Sequence, residues 1–502
     1  MTELAALQNG SDIRGIAIDT EEHQANLTPK AMKQIAHGIV TWLRNEKQVK
    51  GHPLKIAVGR DSRLSGPVLA EAFMQELVAL GVVVLDCQIA TTPAMFMSTQ
   101  FLEFACDAGV MLTASHLPFY FNGVKIFSQA GGAEKSDITQ ILTKRDQALS
   151  VETTGSIQQI DLLTPYAADL VTKIRQGMKT NALRPLSGMK IIVDAGNGAG
   201  GFFAEKVLAE LGADTTGSQF LEPDGRFPNH IPNPDNKEAM ASIQAAVLRE
   251  QADLGVIFDT DVDRSAMVTK TGEVLNRNNL IAVLSKISLT EHPGTSIVTN
   301  SPTSSHLKTF IETLGGKQVR YISGYRNVIN KAVALNANGI DCQLAIETSG
   351  HAAFKENYFL DDGAYVIAKI LMLIPTLKQQ GKTLEQLITD LKQPAETQEV
   401  RFKLTTDAYR KLGQQVIETV AKLDHPSWTI DPENEEGIRF NVQTPYGSGW
   451  FLLRMSLHEP LLVLQVENDE IGQVKHVLAE FPAILAEFPA VDQTALTAYL
   501  HQ

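Results

Sequence analysis

Short apolar runs alternate with amphipathic segments along the first three-quarters of the chain. Residues 54–58, 82–85 and 109–112 predict buried strands, and apolar positions at helical spacing predict a helix over 66–81 that ends at Gly81. Strand, helix and strand at this spacing indicate βαβ units on a mostly parallel sheet.

The same pattern recurs further along, and then changes. Further strands are predicted at 190–194, 252–258, 296–299 and 343–346, with a helix over 202–211. After about residue 394 the pattern indicates an α+β terminal domain, with strands at 400–404, 438–442 and 461–466 and helical runs at 405–423 and 470–486.

Length and charge narrow the classes of protein. The chain has 502 residues, enough for three or four domains at about 150 residues each. Its net charge of −13 argues against a protein that reads nucleic-acid phosphates by charge, so an anionic ligand needs a local positive pocket. The apolar runs are shorter than a bilayer span, the N-terminus lacks a secretory pattern, and the three cysteines are far apart. We therefore expect a cytoplasmic protein with no membrane or nucleic-acid partner.

Three carboxylates at alternate positions follow one predicted strand. The segment Asp259-Thr260-Asp261-Val262-Asp263-Arg264 offers hard oxygen ligands of the kind Mg²⁺ prefers, at the strand end where open α/β sheets bind ligands. An EF-hand is excluded because Arg264 and Lys270 stand where that loop needs Gly and Glu. A solvated acidic loop is the alternative.

A second polar segment, Thr113-Ala114-Ser115-His116, also follows a strand. A serine hydroxyl needs a base or a metal to act as a nucleophile, and an ordinary turn is the favoured interpretation of this segment taken alone. The pair Asn122-Gly123 is typical of a tight turn, which could bring Lys125 back toward Ser115.

Other segments carry weaker signals. A carboxylate, a hydroxyl and an imidazole lie together in Glu347-Thr348-Ser349-Gly350-His351 and are suited to binding sugar hydroxyls. An ordinary loop in which Glu347 and His351 have hydrogen-bond partners within the protein is equally plausible. Arg14 and the Arg454–Pro460 loop could bind anions, although single arginines are more often surface ion-pair partners. Residues 196–201 fit a dinucleotide GxGxxG pattern, but 213–218 is too polar for the expected second strand, so close packing is the favoured role.

Taken in order, these segments resemble the α-D-phosphohexomutase family, the phosphoglucomutases and phosphomannomutases. Residues 113–118 are similar to the family's TASHNP phosphoserine loop, and 122–125 to its NGxK. Residues 259–264 are similar to its DGDxDR metal loop, and 347–351 to its ExSGH sugar loop. The stretch 223–230 is similar to a further family segment, and the correspondence runs over nearly the whole chain.

The resemblance implies four domains around a central cleft, three similar α/β domains and a C-terminal α+β domain. The expected domains are 1–155 with the phosphoserine loop, 156–275 with the metal loop, 276–393 with the sugar loop and 394–502 with a phosphate loop.

It also implies a mechanism, in which a phosphorylated Ser115 passes its phosphoryl group to a hexose phosphate through a hexose 1,6-bisphosphate, which is also the activator. The implied catalytic residues are Ser115, Lys125, His116, Arg14 and Arg264, with Lys125 as general acid/base. One Mg²⁺ per chain is implied on Ser115, Asp259, Asp261 and Asp263. The implied substrate-binding residues are Tyr325, Arg326, Glu347, Ser349, His351, Arg454 and Ser456.

The last phosphate loop departs from the family pattern. Leu457 and His458 replace a Gly and a Thr, and Val463 stands where an Arg is usual. Leu hinders the approach of an anion to the backbone N–H, which Gly permits. A sugar-phosphate-binding or regulatory protein with weak turnover therefore stays open as an alternative. A third reading, an NAD-dependent oxidoreductase based on 196–201, is disfavoured.

Overall fold

The computed structural model describes residues 3–50, 53–143, 154–457 and 459–502. They form two compact units, which we describe separately. Unit 1 contains Met1–Leu280 and Ser349–Gln386, and unit 2 contains Ile281–Thr348 and Leu387–Gln502.

The first sheet of unit 1 is mixed. Its strands are β1 (Gln8–Asn9), β2 (Asp12–Ile16), β3 (Lys55–Arg60), β4 (Val83–Ile89), β5 (Ala108–Leu112), β6 (Phe121–Ser128), β7 (Gly131–Gly132) and β8 (Ser156–Gln159). Seven of them lie in the order β1-β2-β6-β5-β3-β4-β8, and β7 pairs with β6. The central strands β5, β3, β4 and β8 run parallel, as the βαβ pattern predicts, so their carboxyl ends share one edge.

The second sheet of unit 1 carries the segment with three aspartates. Its strands are β9 (Ile191–Asp194), β10 (Leu254–Phe258), β11 (Ser265–Thr269) and β12 (Val274–Leu275), in the order β12-β11-β10-β9. Strands β9 and β10 are parallel, whereas β11 returns antiparallel after the aspartate loop. The helix predicted over 202–211 is present as a π-helix over Phe203–Leu208.

Unit 2 has a parallel part and an antiparallel part. Strands β13 (Ser296–Asn300), β14 (Lys317–Tyr321) and β15 (Cys342–Ile346) are parallel in the order β14-β13-β15. Unit 1 holds the short hairpin β16 (Ala352–Phe354) and β17 (Leu360–Asp361). The antiparallel sheet of unit 2 is β18 (Glu396–Lys403), β19 (Trp428–Ile430), β20 (Ile438–Val442), β21 (Gly449–Met455) and β22 (Leu461–Asn468), in the order β18-β22-β21-β20-β19.

Helices connect and cover these strands. Those that begin in unit 1 are α1 (Pro29–Asn45), α2 (Gly66–Ala79), α3 (Thr92–Met97), α4 (Lys135–Thr143), α5 (Leu163–Gly177), α6 (Lys237–Glu250), α7 (Arg277–Glu291), α10 (Gly363–Leu371) and α11 (Ile374–Gln379). Those of unit 2 are α8 (Ser305–Thr313), α9 (Tyr325–Ala337), α12 (Tyr409–Val420), α13 (Gln473–Ala479), α14 (Phe481–Ile484) and α15 (Thr494–Leu500). Short 3₁₀ turns lie at Glu3–Leu7, Lys355–Asn357, Glu385–Leu387 and Leu485–Glu487.

Local sequence explains several helix starts. The Thr28 hydroxyl accepts from the Ala31 N–H at the start of α1, where Pro29 has no N–H that would need an acceptor. Asp362 caps α10 in the same way, by accepting from the Tyr365 N–H. The α+β pattern of strands and helices predicted after about residue 394 is confirmed. Within the described ranges we find no helix with the length and apolar character needed to span a bilayer.

Candidate active site

Ser115 lies in the turn after β5 and is almost fully buried, with 2% of its surface exposed. Its backbone is left-handed, with φ of 51°, which is uncommon for a residue with a side chain. The Ser115 hydroxyl donates to Oδ2 of Asp259 over 2.8 Å. The nucleophile candidate and the aspartate loop therefore meet, although 144 positions separate them.

The three aspartates after β10 form one buried cluster. Asp259, Asp261 and Asp263 have carboxylate oxygens within 4.8 Å of one another. Oδ1 of Asp261 and Oδ1 of Asp263 are buried and accept no hydrogen bond from any described residue. Because a buried carboxylate oxygen without a partner is costly, and because these are hard oxygen donors, the cluster fits a Mg²⁺ ion.

Two cations border this cluster. The Lys125 ammonium donates to Oδ2 of Asp261 over 3.0 Å and also to Asp263. Nη2 of Arg264 lies 2.9 Å from the Ser115 hydroxyl and 3.1 Å from Oδ2 of Asp259. The site thus has local positive groups in a chain that is anionic overall, as a phosphate-binding centre requires.

Burial and neighbouring charges shift the pKa values of Asp259 and Asp263 in opposite directions. Burial raises the pKa of Asp259 well above its usual range, and the neighbouring Asp263 and Asp261 carboxylates raise it further. Burial also raises the pKa of Asp263, but the Lys125 ammonium and then His351 and Arg264 outweigh it and hold that pKa well below the usual range. A divalent cation on the cluster would favour the ionised form of Asp259 and Asp263.

The two histidines near the cluster have pKa values that are shifted in opposite directions. His116 has its pKa lowered well below 6.5 by burial and by the Arg264 guanidinium, whose Nη2 lies 2.7 Å from Nδ1 of His116. Burial lowers the pKa of His351, but the Asp361 and Asp263 carboxylates overcome this and raise it to about 9. Nδ1 of His351 lies 2.5 Å from Oδ2 of Asp361 and 3.8 Å from Oδ1 of Asp263.

Arg14 lies on β2 at the border of the Ser115 turn. Its guanidinium donates to the carbonyl of Ala114 over 3.2 Å and pairs with Asp12 at 2.9 Å. It is therefore fixed next to the residue that precedes Ser115.

The tight turn predicted at Asn122-Gly123 is wrong. Both residues lie inside β6, where Gly123 faces Arg14 on β2. A Cβ on Gly123 would lie 2.4 Å from the Ile13 carbonyl oxygen and 2.6 Å from that of Thr113, so glycine here permits a close backbone approach. Lys125 reaches the aspartates from within this strand and not through a hairpin.

The remaining predicted substrate residues divide between the units. His351 and Ser349 lie in unit 1, whereas Glu347, Tyr325 and Arg326 lie in unit 2. Glu347 is buried, and its carboxylate accepts from the Gly324 N–H over 2.7 Å, which ties the sugar-loop residue to the start of α9.

The predicted phosphate loop of unit 2 is less buried. Arg454 and Ser456 are partly buried at the end of β21, and Nη1 of Arg454 lies 4.0 Å from Oε1 of Glu436. The Leu457 side chain is 42% exposed, and a Cβ on Gly324 would lie 3.3 Å from its Cδ1. His458, the second departure from the family pattern, lies outside the described residues.

Sequence reasoning missed Thr92 and Asp361. The Thr92 hydroxyl donates to Oδ2 of Asp261, and its N–H donates to the Asp261 carbonyl over 2.9 Å. Asp361 orients His351, as described above. Each follows or ends a strand, which is the only signal that could have drawn attention to it.

The GxGxxG segment, residues 196–201, packs against the aspartate loop. The Ala199 N–H donates to the Thr260 carbonyl over 2.8 Å, and a Cβ on Gly198 would lie 2.6 Å from that oxygen. Close packing of two loops therefore accounts for Gly198, in agreement with the interpretation favoured from the sequence.

Comparisons with known proteins agree with this arrangement. Family models described as phosphoglucomutase/phosphomannomutase α/β/α domains I, II and III match residues 5–150, 165–272 and 276–394, respectively. A phosphomannomutase/phosphoglucomutase of Pseudomonas aeruginosa is 31% identical over 479 residues, covering 95% of each chain. A phosphoglucomutase of Neisseria gonorrhoeae is 30% identical over 479 residues, covering 94% of this chain and 95% of that protein.

Solved structures show the same fold. A crystal structure of a phosphoglucomutase/phosphomannomutase family protein from Burkholderia thailandensis has a TM-score of 0.78 at 24% identity, covering 97% of this chain and 99% of that one. A putative phosphomannomutase from Thermus thermophilus has a TM-score of 0.70 at 20% identity, covering 96% and 99%. Together with the α+β terminal region seen here, these matches confirm the predicted fold class.

Proposed function

Because the chain belongs to the α-D-phosphohexomutase family, we propose that it moves a phosphoryl group between O1 and O6 of a hexose phosphate through a phosphorylated Ser115 and Mg²⁺. As a phosphohexomutase it is an isomerase that acts on a small phosphosugar. The proposal adds the serine, the metal, the bisphosphate intermediate and the sugars, glucose and mannose.

One observation carries the proposal: the 2.8 Å contact between the Ser115 hydroxyl and Asp259, in a buried cluster with two unpartnered carboxylate oxygens. Phosphoryl transfer depends on positioning and charge neutralisation more than on covalent chemistry. Asp259, Asp261, Asp263 and Ser115 would hold Mg²⁺, which would neutralise the charge of the transferring group.

The remaining groups of unit 1 have roles that follow from their contacts. Arg264 would hold the phosphoryl oxygens on Ser115, beside His116, and Arg14 would border the same group. A sugar hydroxyl oxygen would form the new bond to phosphorus as the bond to the Ser115 oxygen breaks. Its proton would pass to the neutral amine form of Lys125, which we propose as the general base. The ammonium that results would pair with the Asp261 and Asp263 carboxylates.

Binding of the sugar would fall to residues after other strands. We propose that Glu347, Ser349 and His351 hold its hydroxyls, and that Tyr325 and Arg326, in the first turn of α9, help to distinguish sugars. We also propose that Arg454 and Ser456 bind the second phosphate. Hexose 1,6-bisphosphate is proposed as activator. A cytoplasmic location stays a prediction.

A coupled assay tests the proposal directly. Purified protein with Mg²⁺ and a trace of hexose 1,6-bisphosphate is given glucose 1-phosphate, mannose 1-phosphate and glucosamine 1-phosphate in turn, and formation of the 6-phosphate is followed. Intact mass and peptide mapping then show whether one phosphate lies on the peptide that contains Ser115. We expect turnover with the first two sugars, and its loss in Ser115→Ala at an unchanged melting temperature.

The exposed Leu457 in the phosphate loop favours one alternative, a sugar-phosphate-binding protein with weak turnover. That alternative predicts sugar-phosphate binding and a phosphorylated Ser115 with no turnover of any sugar. Wild-type turnover in Ser115→Ala would instead remove Ser115 from the mechanism.

A further inference from the structure

A single buried arginine, Arg63, donates hydrogen bonds to the backbone of the Ser115 turn. The Arg63 side chain is 0% exposed, and its guanidinium donates to four carbonyl oxygens of one short segment. Nη2 donates to Ser115 over 2.5 Å and to Leu117 over 2.6 Å, and Nη1 donates to Pro118 over 2.8 Å and to Phe121 over 3.0 Å. A planar group with fixed donor directions is needed to reach four acceptors at once.

We infer that Arg63, with Asp61 and Thr113, is a positioning residue that fixes the Ser115 hydroxyl for phosphoryl transfer. This inference rests on the proposed function, because it assigns a role to residues around the proposed nucleophile. The sequence did not indicate Arg63 or Asp61 as site residues, and it indicated Thr113 only as part of the segment that contains Ser115.

Both backbone polar groups of Ser115 are held by this network. Its N–H donates to the Thr113 hydroxyl oxygen over 2.9 Å, and its carbonyl accepts from Arg63. The left-handed φ of 51° is unfavourable for serine and persists only where the surroundings fix it. The network supplies that constraint and directs the Ser115 hydroxyl toward Asp259.

Asp61 closes the network by joining Arg63 to Thr113. Its Oδ1 accepts from the Arg63 N–H over 2.9 Å, and its Oδ2 accepts from the Thr113 hydroxyl over 2.7 Å. Asp61 follows β3 and Thr113 follows β5, two parallel neighbours whose carboxyl ends lie side by side. The pair therefore links the turn after one strand to the Ser115 turn after the next.

Neighbouring side chains also contact the charged Arg63 guanidinium. The Phe227 ring covers the guanidinium at 5.4 Å, and Oδ2 of Asp61 lies 3.3 Å from Nε. Removal of the guanidinium would leave four inward-facing carbonyls of the turn without this donor. Substitutions at Arg63 therefore risk unfolding, and Thr113 is the better place for the first test.

The first experiment compares Thr113→Val with Thr113→Ser. Valine has nearly the shape of threonine but lacks the hydroxyl that links Ser115 to Asp61, whereas serine keeps it. Phosphorylated enzyme is mixed with glucose 1-phosphate in a single turnover, and loss of the enzyme phosphate is followed by quenched-flow intact mass. Displacement of a reacting atom by about 1 Å costs on the order of 100-fold in rate.

We expect Thr113→Val to slow the single-turnover step by at least about 10-fold, while sugar-phosphate affinity stays within about twofold and Thr113→Ser stays within about threefold of wild type. The ³¹P resonance of phosphoserine should shift or broaden in the valine variant only. A purely structural role would lower the melting temperature without changing the rate per folded, phosphorylated molecule.

Arg63→Lys gives a second measurement, since an ammonium cannot reach four carbonyls in the guanidinium geometry. A folded Thr113→Val or Arg63→Lys enzyme with the wild-type single-turnover rate would overturn the inference. So would equal losses in Thr113→Val and Thr113→Ser. If Thr113→Val does not fold, the single-turnover rates of Arg63→Lys and Thr113→Ser test the inference in its place. A wild-type protein without phosphoserine or turnover contradicts the proposed function instead.

Discussion

The loops of unit 1 and the loops of unit 2 are built in different ways. Around Ser115 and the three aspartates the polar groups are buried and held by contacts between separate strand ends. In unit 2, Tyr325, Arg326 and Ser456 are only partly buried and Leu457 is exposed.

This difference matches two tasks that we propose. The buried loops around Ser115 and the aspartates would carry out phosphoryl transfer, and the loops of unit 2, together with Ser349 and His351 of unit 1, would recognise the substrate. Phosphoryl transfer needs fixed groups in a site of low dielectric, whereas recognition of a sugar needs surfaces that a ligand can reach. Changes in the buried loops should therefore affect the chemical step, and changes in the unit 2 loops should affect substrate affinity.

The largest effect is expected at the aspartate cluster. Asp261→Asn removes charge from a carboxylate with an unpartnered oxygen, and should lower kcat by about 10³-fold with little change in sugar affinity. EDTA should abolish wild-type turnover, and added Mg²⁺ should restore it. Glu210→Gln, an exposed acid of the same unit, is the control. Full activity of Asp261→Asn in chelator would contradict the metal assignment.

A smaller effect on the same chemistry is expected at Gly198. An alanine Cβ would lie 2.6 Å from the Thr260 carbonyl oxygen, so Gly198→Ala should displace the aspartate loop and raise the Mg²⁺ concentration for half-maximal activity about 10-fold. The matched control is Gly201→Ala, whose Cβ would lie 2.6 Å from the Leu221 carbonyl oxygen. Calorimetry with Mg²⁺ alone gives an independent measurement, and equal shifts in both variants would contradict a specific role for Gly198.

In unit 2 we expect a change in affinity without a change in chemistry. Leu457→Gly restores the family residue and opens the backbone N–H to a phosphate, so KM for the sugar phosphate should fall about threefold at constant kcat. Leu183→Gly, at another exposed leucine, is the control. A fall in kcat with unchanged KM would reverse the assignment of tasks to the two units.

The smallest effect concerns the stability of unit 1. Burial lowers the pKa of His230, but the hydrogen bond and charge of Asp194 raise it above 6.5. A raised pKa in the folded state means that this pair stabilises the fold fully below pH 6.5 and loses its effect as the pH rises through the folded-state value. The melting temperature should therefore fall less between pH 6 and 8.5 in His230→Gln than in wild type or in the exposed-site control His292→Gln. An identical fall in all three would exclude the effect.

The sequence predicted much of the framework because its signals are local. Alternating apolar runs indicated the parallel strands, and polar residues directly after them indicated Ser115 and the aspartates. The tight turn predicted at Asn122-Gly123 is wrong because the same pair of residues occurs both in tight turns and where two strands approach closely. Only the pairing of the strands decides between these two structures.

By itself the sequence determined which residues are candidates for the chemistry, since residue type and position after a strand are encoded in short segments. Only the tertiary structure decided which of them meet. The 2.8 Å between Ser115 and Asp259, the approach of Lys125 to Asp263 and the hold of Arg63 on the Ser115 carbonyl all join distant segments. Such contacts depend on sheet order and loop packing, which are properties of the whole fold and not of any single segment.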